Sequence, residues 1–115
     1  GQDEGAAVFG IGLSLHEELL YQDGVLANPN LVDYRLPRFR DLPQIFHSHI
    51  REDAGGPGPY GAKGVGEGGI LGVAPAVCNA VFNATGVRIR HVPLKGERVW
   101  RALGEPTVQT TEQSP

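Results

Sequence analysis

Between Gly55 and Gly72 the chain places nine of its 17 glycines, and that run limits what can be built there. Glycine loses more conformational freedom on folding than any other residue, so the run disfavours both helix and strand and reads as a loop. Within it, GPYGAKGVGEGG, residues 58–69, holds one cation, Lys63, and one carboxylate, Glu67. The flanking segments must present this loop, and the side-chain pattern says how.

Upstream, Val8, Ile11, Leu15 and Leu19 recur at three- and four-residue steps, which predicts an amphipathic helix from Val8 to Leu20. Gly10 and Gly12 on that stretch, and Gly5 just before it, imply a backbone or a ligand approaching closely, because each costs up to about 1 kcal/mol relative to alanine in a helix. Glu17 and Glu18, near the helix end, are expected to be solvated. LLYQDGVL, residues 19–26, predicts a hairpin around Asp23-Gly24. Residues 27–43 carry three prolines and read as a long loop, whereas QIFHSHIRE, residues 44–52, predicts a strand with Ile45, His47, His49 and Arg51 on one face.

Downstream of the glycines, APAVCNAVFNATG predicts a helix with Pro75 in its first turn, a stripe of Ala74, Val77, Cys78, Val81 and Thr85, and Gly86 as its stop. VRIRHV, residues 87–92, alternates as a strand, and KGERVWRALG gives a short helix ending at Gly104. Residues 105–115 have no periodicity and the composition of a flexible tail. The fold class expected is α/β of the α+β type, helices packed on a small mixed sheet, with residues 1–104 as one unit.

A net charge of −3 with a pI near 5.7 gives no electrostatic footprint for nucleic acid. The single cysteine, Cys78, cannot make an internal disulfide, and its apolar neighbours predict a buried thiol in a reducing compartment, hence a cytoplasmic setting, with the periplasm open to an assembled complex. No run is expected to reach the roughly 18 apolar residues of a membrane span. Lack of methionine and the opening GQDEG read as part of a longer polypeptide. Such a piece would hold one wall of a site.

Several motifs fail on context. Gly64, Gly66 and Gly69 satisfy G-x-G-x-x-G, but they follow PGPYGAK instead of a buried strand. Lys63 is followed by glycine where a Walker A loop needs Ser or Thr. His47 and His49 could share a strand face, yet two ligands do not make a zinc site, and no metal-binding set is assigned. No Ser or Cys sits in a nucleophile-elbow context, and Arg88, Arg90 and Lys95 alternate with apolar residues like a solvated strand face. Glu67 remains, and the residues alone leave it either a solvated loop acid, the reading they lean toward, or a general base.

The stretches GQDEGAAVFGIGLSLHEELLY, NPNLVDYRLP, DLP, GPYGAKGVGEGG and APAVCNAVFNATGVRIRHVPLKGERVWRAL, in this order, resemble the C-terminal part of the molybdopterin-binding large subunit of the xanthine dehydrogenase and aldehyde oxidase family. The resemblance runs from Gln2 to Leu103, and the loop ending in Gly-Glu is its most specific element. It implies that Glu67 is the general base at the molybdenum. The chemistry that the resemblance implies for it is to take a proton from a metal-bound hydroxyl while an N-heterocycle or aldehyde is oxidised with water-derived oxygen. It also implies that Gln2 contacts the pterin, that Gly64, Val65 and Gly66 shape the loop against it, and that Lys63 stands behind them or is merely solvated.

The implied cofactor is molybdopterin in a dinucleotide form such as the cytosine dinucleotide. The implied partners are the upstream part of the large subunit, an iron-sulfur subunit and an FAD subunit. Phe9 and Ala6 depart from the Gln and Gly common in the family, and Gly68-Gly69 from the Pro-Pro of many xanthine-oxidising members. Alone, the chain is expected neither to hold the cofactor tightly nor to turn over substrate. Two rival readings are a non-catalytic assembly module docking onto a larger molybdoenzyme subunit, and a glycine loop binding phosphate through backbone N–H groups.

Overall fold

The computed structural model describes residues 1–52 and 55–104; the expected tail, 105–115, lies outside them. Helix α1 runs from Gln2 to Leu15, earlier at both ends than its apolar spacing predicts. Asp3 and Glu4 occupy the first turn, where carboxylates complement the helix dipole. The N–H groups of His16 and Glu17 both donate to the Gly12 carbonyl, at 2.9 and 2.8 Å, and close the helix before Leu19 can join it.

Leu19 and Leu20 instead lead into the predicted hairpin, β1 Tyr21–Gln22 and β2 Val25–Leu26, paired antiparallel with Tyr21 opposite Leu26. Asp23 at φ 50° and Gly24 at φ 80° supply the two left-handed residues that a tight two-residue turn requires. Buried Asn28 closes the base of the hairpin: its Oδ1 accepts the Leu20 N–H at 2.8 Å and its Nδ2 donates to the Glu18 carbonyl at 2.7 Å.

Helices with a small sheet are as expected, but the described sheet ends with those two strands. Residues 44–52 and 87–92 form no strand. Alternation marks faces, but a strand also needs a neighbour for its N–H and C=O groups, and neither segment has one here. In the opposite direction, the glycine run is more ordered than its composition predicts. A 3-10 turn covers Pro59–Gly61, and Gly68–Leu71 forms a helical turn, α2.

Helix α3 follows from Val73 to Thr85, and Gly86, at φ 74°, ends it with its N–H on the Phe82 carbonyl at 2.7 Å. Val73, Ala74, Val77, Cys78 and Val81 are half-buried, so the Cys78 thiol is less enclosed than expected, and Thr85 is exposed. The expectation of no membrane-length run is also corrected. Gly68–Thr85 is an 18-residue stretch of mean hydropathy 1.3, long and apolar enough to cross a membrane by length and composition alone. Its α2 end packs on α1.

Helix α4, Gly96–Gly104, is joined to the end of α1 by polar contacts that the sequence did not reveal. The Leu94 N–H donates to the Ser14 carbonyl at 2.6 Å, and buried Ser14 donates its hydroxyl to Gly10 at 2.5 Å. Glu18, expected to be solvated, pairs with Lys95 at 2.6 Å and Arg98 at 3.1 Å, while Glu17 accepts from the Tyr34 hydroxyl at 2.6 Å.

Full burial is confined to a few side chains: among the described residues, Ala6, Ile11 and Leu94 form the apolar core. Val32, Phe39 and Ile50 are 90%, 90% and 88% exposed. The radius of gyration, 18.4 Å, exceeds the roughly 13 Å of a compact chain of this length.

Two outcomes follow from this packing. A Cβ at Gly10 would stand 2.6 Å from Val73 Cβ and Cγ2, so Gly10→Ala is expected to lower stability by about 1–3 kcal/mol, read as a fall in the denaturant midpoint. Hydrogen bonds from Lys95, then from Arg98, hold the Glu18 carboxyl below its ordinary value of 4.5. A carboxylate depressed in the folded state contributes stability that is present above that value and is lost as pH falls below it. Glu18→Gln is therefore expected to flatten the acid limb of a stability-against-pH curve, with little further loss at acid pH.

Candidate functional site

Glu67 immediately precedes α2, and its carbonyl accepts the Ile70 N–H at 3.1 Å to start the turn. Its side chain is exposed. Among the described residues the carboxylate has neither a hydrogen-bond partner nor a cation in salt-bridge range, Lys63 included. The carboxylate is therefore open to any group that approaches the loop.

The loop that carries it has two parts. The first is pinned: Gly61 donates to the Gly58 carbonyl at 3.0 Å, Ala62 to Pro59 at 3.1 Å, and Gly58 in turn to Ala62 at 3.3 Å. Within this turn Tyr60 adopts φ 58°, a left-handed value uncommon outside glycine, and its side chain is fully exposed. The second part, Gly64 to Gly66, is exposed, and a Cβ built at Gly64 or Gly66 would meet nothing within 4 Å. Three of the residues expected at the site, Gly64, Val65 and Gly66, therefore form a strip of accessible backbone leading directly to Glu67.

The fourth, Gln2, opens α1 and is also exposed. It is brought toward Glu67 by the way the helices pack. A Cβ at Gly69 would lie 2.8 Å from the Asp3 carbonyl oxygen and 3.3 Å from Ala6 Cβ, while one at Gly10 would lie 2.6 Å from Val73. These two contacts advance in the same direction along both chains. Hence α1 and the α2–α3 pair lie side by side with their N-terminal ends at the same end, where Gln2 and Glu67 stand.

Sequence reasoning missed Asp3, Ala6 and Gly69 as the seat of this arrangement. The available signal was Gly69 itself, a second glycine at a helix start where alanine would serve better. His47 and His49 have ring centroids 6.5 Å apart, and no group of three or more potential metal ligands exists among the described residues. An apolar groove of about 660 Å³ between α1 and the 39–46 segment, lined by Val8, Phe39, Leu42 and Phe46 among others, is separate from the Glu67 loop.

Comparison with known proteins gives this geometry a context. Residues 1–43 match a family model described as a molybdopterin cofactor-binding domain. Over 102 residues the chain is 42% identical to a putative xanthine dehydrogenase molybdenum-binding subunit of Escherichia coli, covering 87% of this chain and 13% of that protein. It is 39% identical over 104 residues to the gamma subunit of the 6-hydroxypseudooxynicotine dehydrogenase complex of Paenarthrobacter nicotinovorans, covering 87% and 13% of the two chains. Among solved structures it superposes on quinoline 2-oxidoreductase from Pseudomonas putida 86 with a TM-score of 0.80 at 35% identity, covering 93% of this chain and 14% of that one. The chain thus spans about one-eighth of the length of the curated relatives it matches.

Because Gly64 and Gly66 face open space at ordinary backbone angles, Gly64→Ala and Gly66→Ala are expected to change stability by less than about 0.5 kcal/mol, measured by denaturant titration.

Proposed function

Since the chain belongs to the xanthine dehydrogenase and aldehyde oxidase family and corresponds to part of its molybdenum-binding subunit, we propose that it supplies the general base of the hydroxylation site, Glu67, and one wall of the molybdopterin pocket. The observation that carries this reading is the unpartnered Glu67 carboxylate at the end of a bare glycine backbone. An ion pair with Lys63 would make the carboxylate a weaker base, and side chains at 64 and 66 would narrow the approach to the loop backbone.

Molybdopterin fits these residues. Gln2 presents an amide that can both donate and accept, and Gly64, Val65 and Gly66 present backbone groups without side-chain obstruction. When bound, the cofactor supplies the two-electron redox chemistry of the reaction. Glu67 takes up the proton released as oxygen derived from water is transferred to the substrate, an N-heterocycle or an aldehyde. The pinned turn at Pro59–Gly61 anchors the start of the loop, and the α1 contact at Gly69 fixes its end.

Exposed Glu67 becomes an effective base only when water is excluded, and the wall that excludes it must come from the rest of the subunit. The isolated chain is accordingly inactive, and electrons leave through iron-sulfur and FAD partner subunits. The cofactor is a dinucleotide form, such as the cytosine dinucleotide, and the complex is cytoplasmic.

In the assembled enzyme Glu67→Gln is expected to lower kcat by about 10²- to 10⁴-fold, with molybdenum and pterin content near that of the unmodified protein. Steady-state turnover alongside metal analysis checks this, and retained turnover would remove Glu67 from the mechanism. The large exposed apolar surface also favours a non-catalytic docking module. A complex that holds a second, complete molybdenum-binding subunit would establish that alternative.

A further inference from the structure

We propose that Gly69 is a positioning residue, which by lacking a Cβ lets α2 sit directly on the first turn of α1 and so sets the separation between Glu67 and Gln2. The proposal rests on the reading of Glu67 and Gln2 given above.

The two glycines after Glu67 differ in their surroundings. A Cβ at Gly68 would meet nothing within 4 Å, whereas a Cβ at Gly69 would meet the Asp3 carbonyl oxygen at 2.8 Å, the Asp3 Oδ1 at 2.8 Å and the Ala6 Cβ at 3.3 Å. The carboxylate could swing aside, but the carbonyl oxygen belongs to the helix backbone. It can retreat only if α1 and α2 move apart. Gly69 has no positive φ, so its requirement is for space and not for a special backbone conformation.

The lever is short. Asp3 adjoins Gln2, and Gly69 is two residues from Glu67, so a displacement at the Asp3–Gly69 contact reaches both groups almost undiminished. The next contact, Gly10 against Val73 at the start of α3, lies four residues beyond Gly69 and turns separation at Gly69 into a splaying of the two N-terminal ends. Any residue with a Cβ at 69 needs a wider seat than this one. A misplacement of about 1 Å between a base and its reacting partner can cost on the order of 10² in rate.

Gly69→Ala and Gly68→Ala, made in the assembled enzyme, form the matched test. Gly69→Ala is expected to lower kcat by about ten- to a hundred-fold with KM changed by less than about threefold and molybdenum content preserved, while Gly68→Ala leaves all three unchanged. An independent readout uses cofactor-free protein with Cys78→Ala and nitroxides on cysteines replacing Gln2 and Glu67. Dipolar broadening between the labels should weaken when Gly69→Ala is added and stay the same with Gly68→Ala.

Unchanged broadening together with unchanged kcat in Gly69→Ala would overturn the proposal. So would loss of assembly confined to Gly69→Ala, because the residue would then serve folding and not placement. Retained turnover in Glu67→Gln would defeat the catalytic reading instead, and the label separation would still decide whether Gly69 sets the spacing.

Discussion

The close approach of α1 to the α2–α3 pair is the contact on which the rest of this structure depends. It is made where side chains are smallest, Ala6 and Gly10 on one helix and Gly69 on the other, with Val73 filling the space over Gly10. Such packing stabilises little per residue by area, since there is little side chain to bury. What it provides is geometry: two backbones held near enough that their N-terminal ends share one rim. The glycine loop is then fixed at one end by its own hydrogen-bonded turn and at the other by this seat, leaving Gly64 to Gly66 open between them.

Around that seat the structure is held by polar contacts more than by an apolar core. Asn28 satisfies two backbone groups at the base of the hairpin, Ser14 and Leu94 join the segment before α4 to α1, and Glu18 receives both Lys95 and Arg98. Phe39, Val32 and Ile50 lie in the open, and the chain is wider than a compact domain of its length. On the proposed reading, apolar surface of this extent lies against the rest of the subunit. That agrees with a chain spanning about one-eighth of the relatives it matches, and on the proposed reading the same surrounding protein dries the site in which Glu67 acts.

Elements governed by local chemistry were legible from the residues. Asp23-Gly24 specified a tight turn because two successive left-handed residues are tolerated there, and Gly86 specified the end of α3 for the same reason. The strands expected at 44–52 and 87–92 were not legible, because alternation encodes a face while the partner strand must come from elsewhere. Glu18 looked solvated in the sequence because Lys95 and Arg98 are far from it along the chain, and only folding sets them beside it.

The candidate site divides along the same line. By itself the sequence determined a side-chain-poor loop with one carboxylate, the family whose motif that loop resembles, and the helices on either side. These are properties of residue type and spacing. Only the tertiary structure decided that Glu67 has no described cation beside it, that Gly64 and Gly66 border open space, and that Gly69, unlike Gly68, is pressed against the Asp3 carbonyl. The reason is steric: the two glycines are the same in the sequence, and what each excludes or admits is defined by a helix more than sixty residues away.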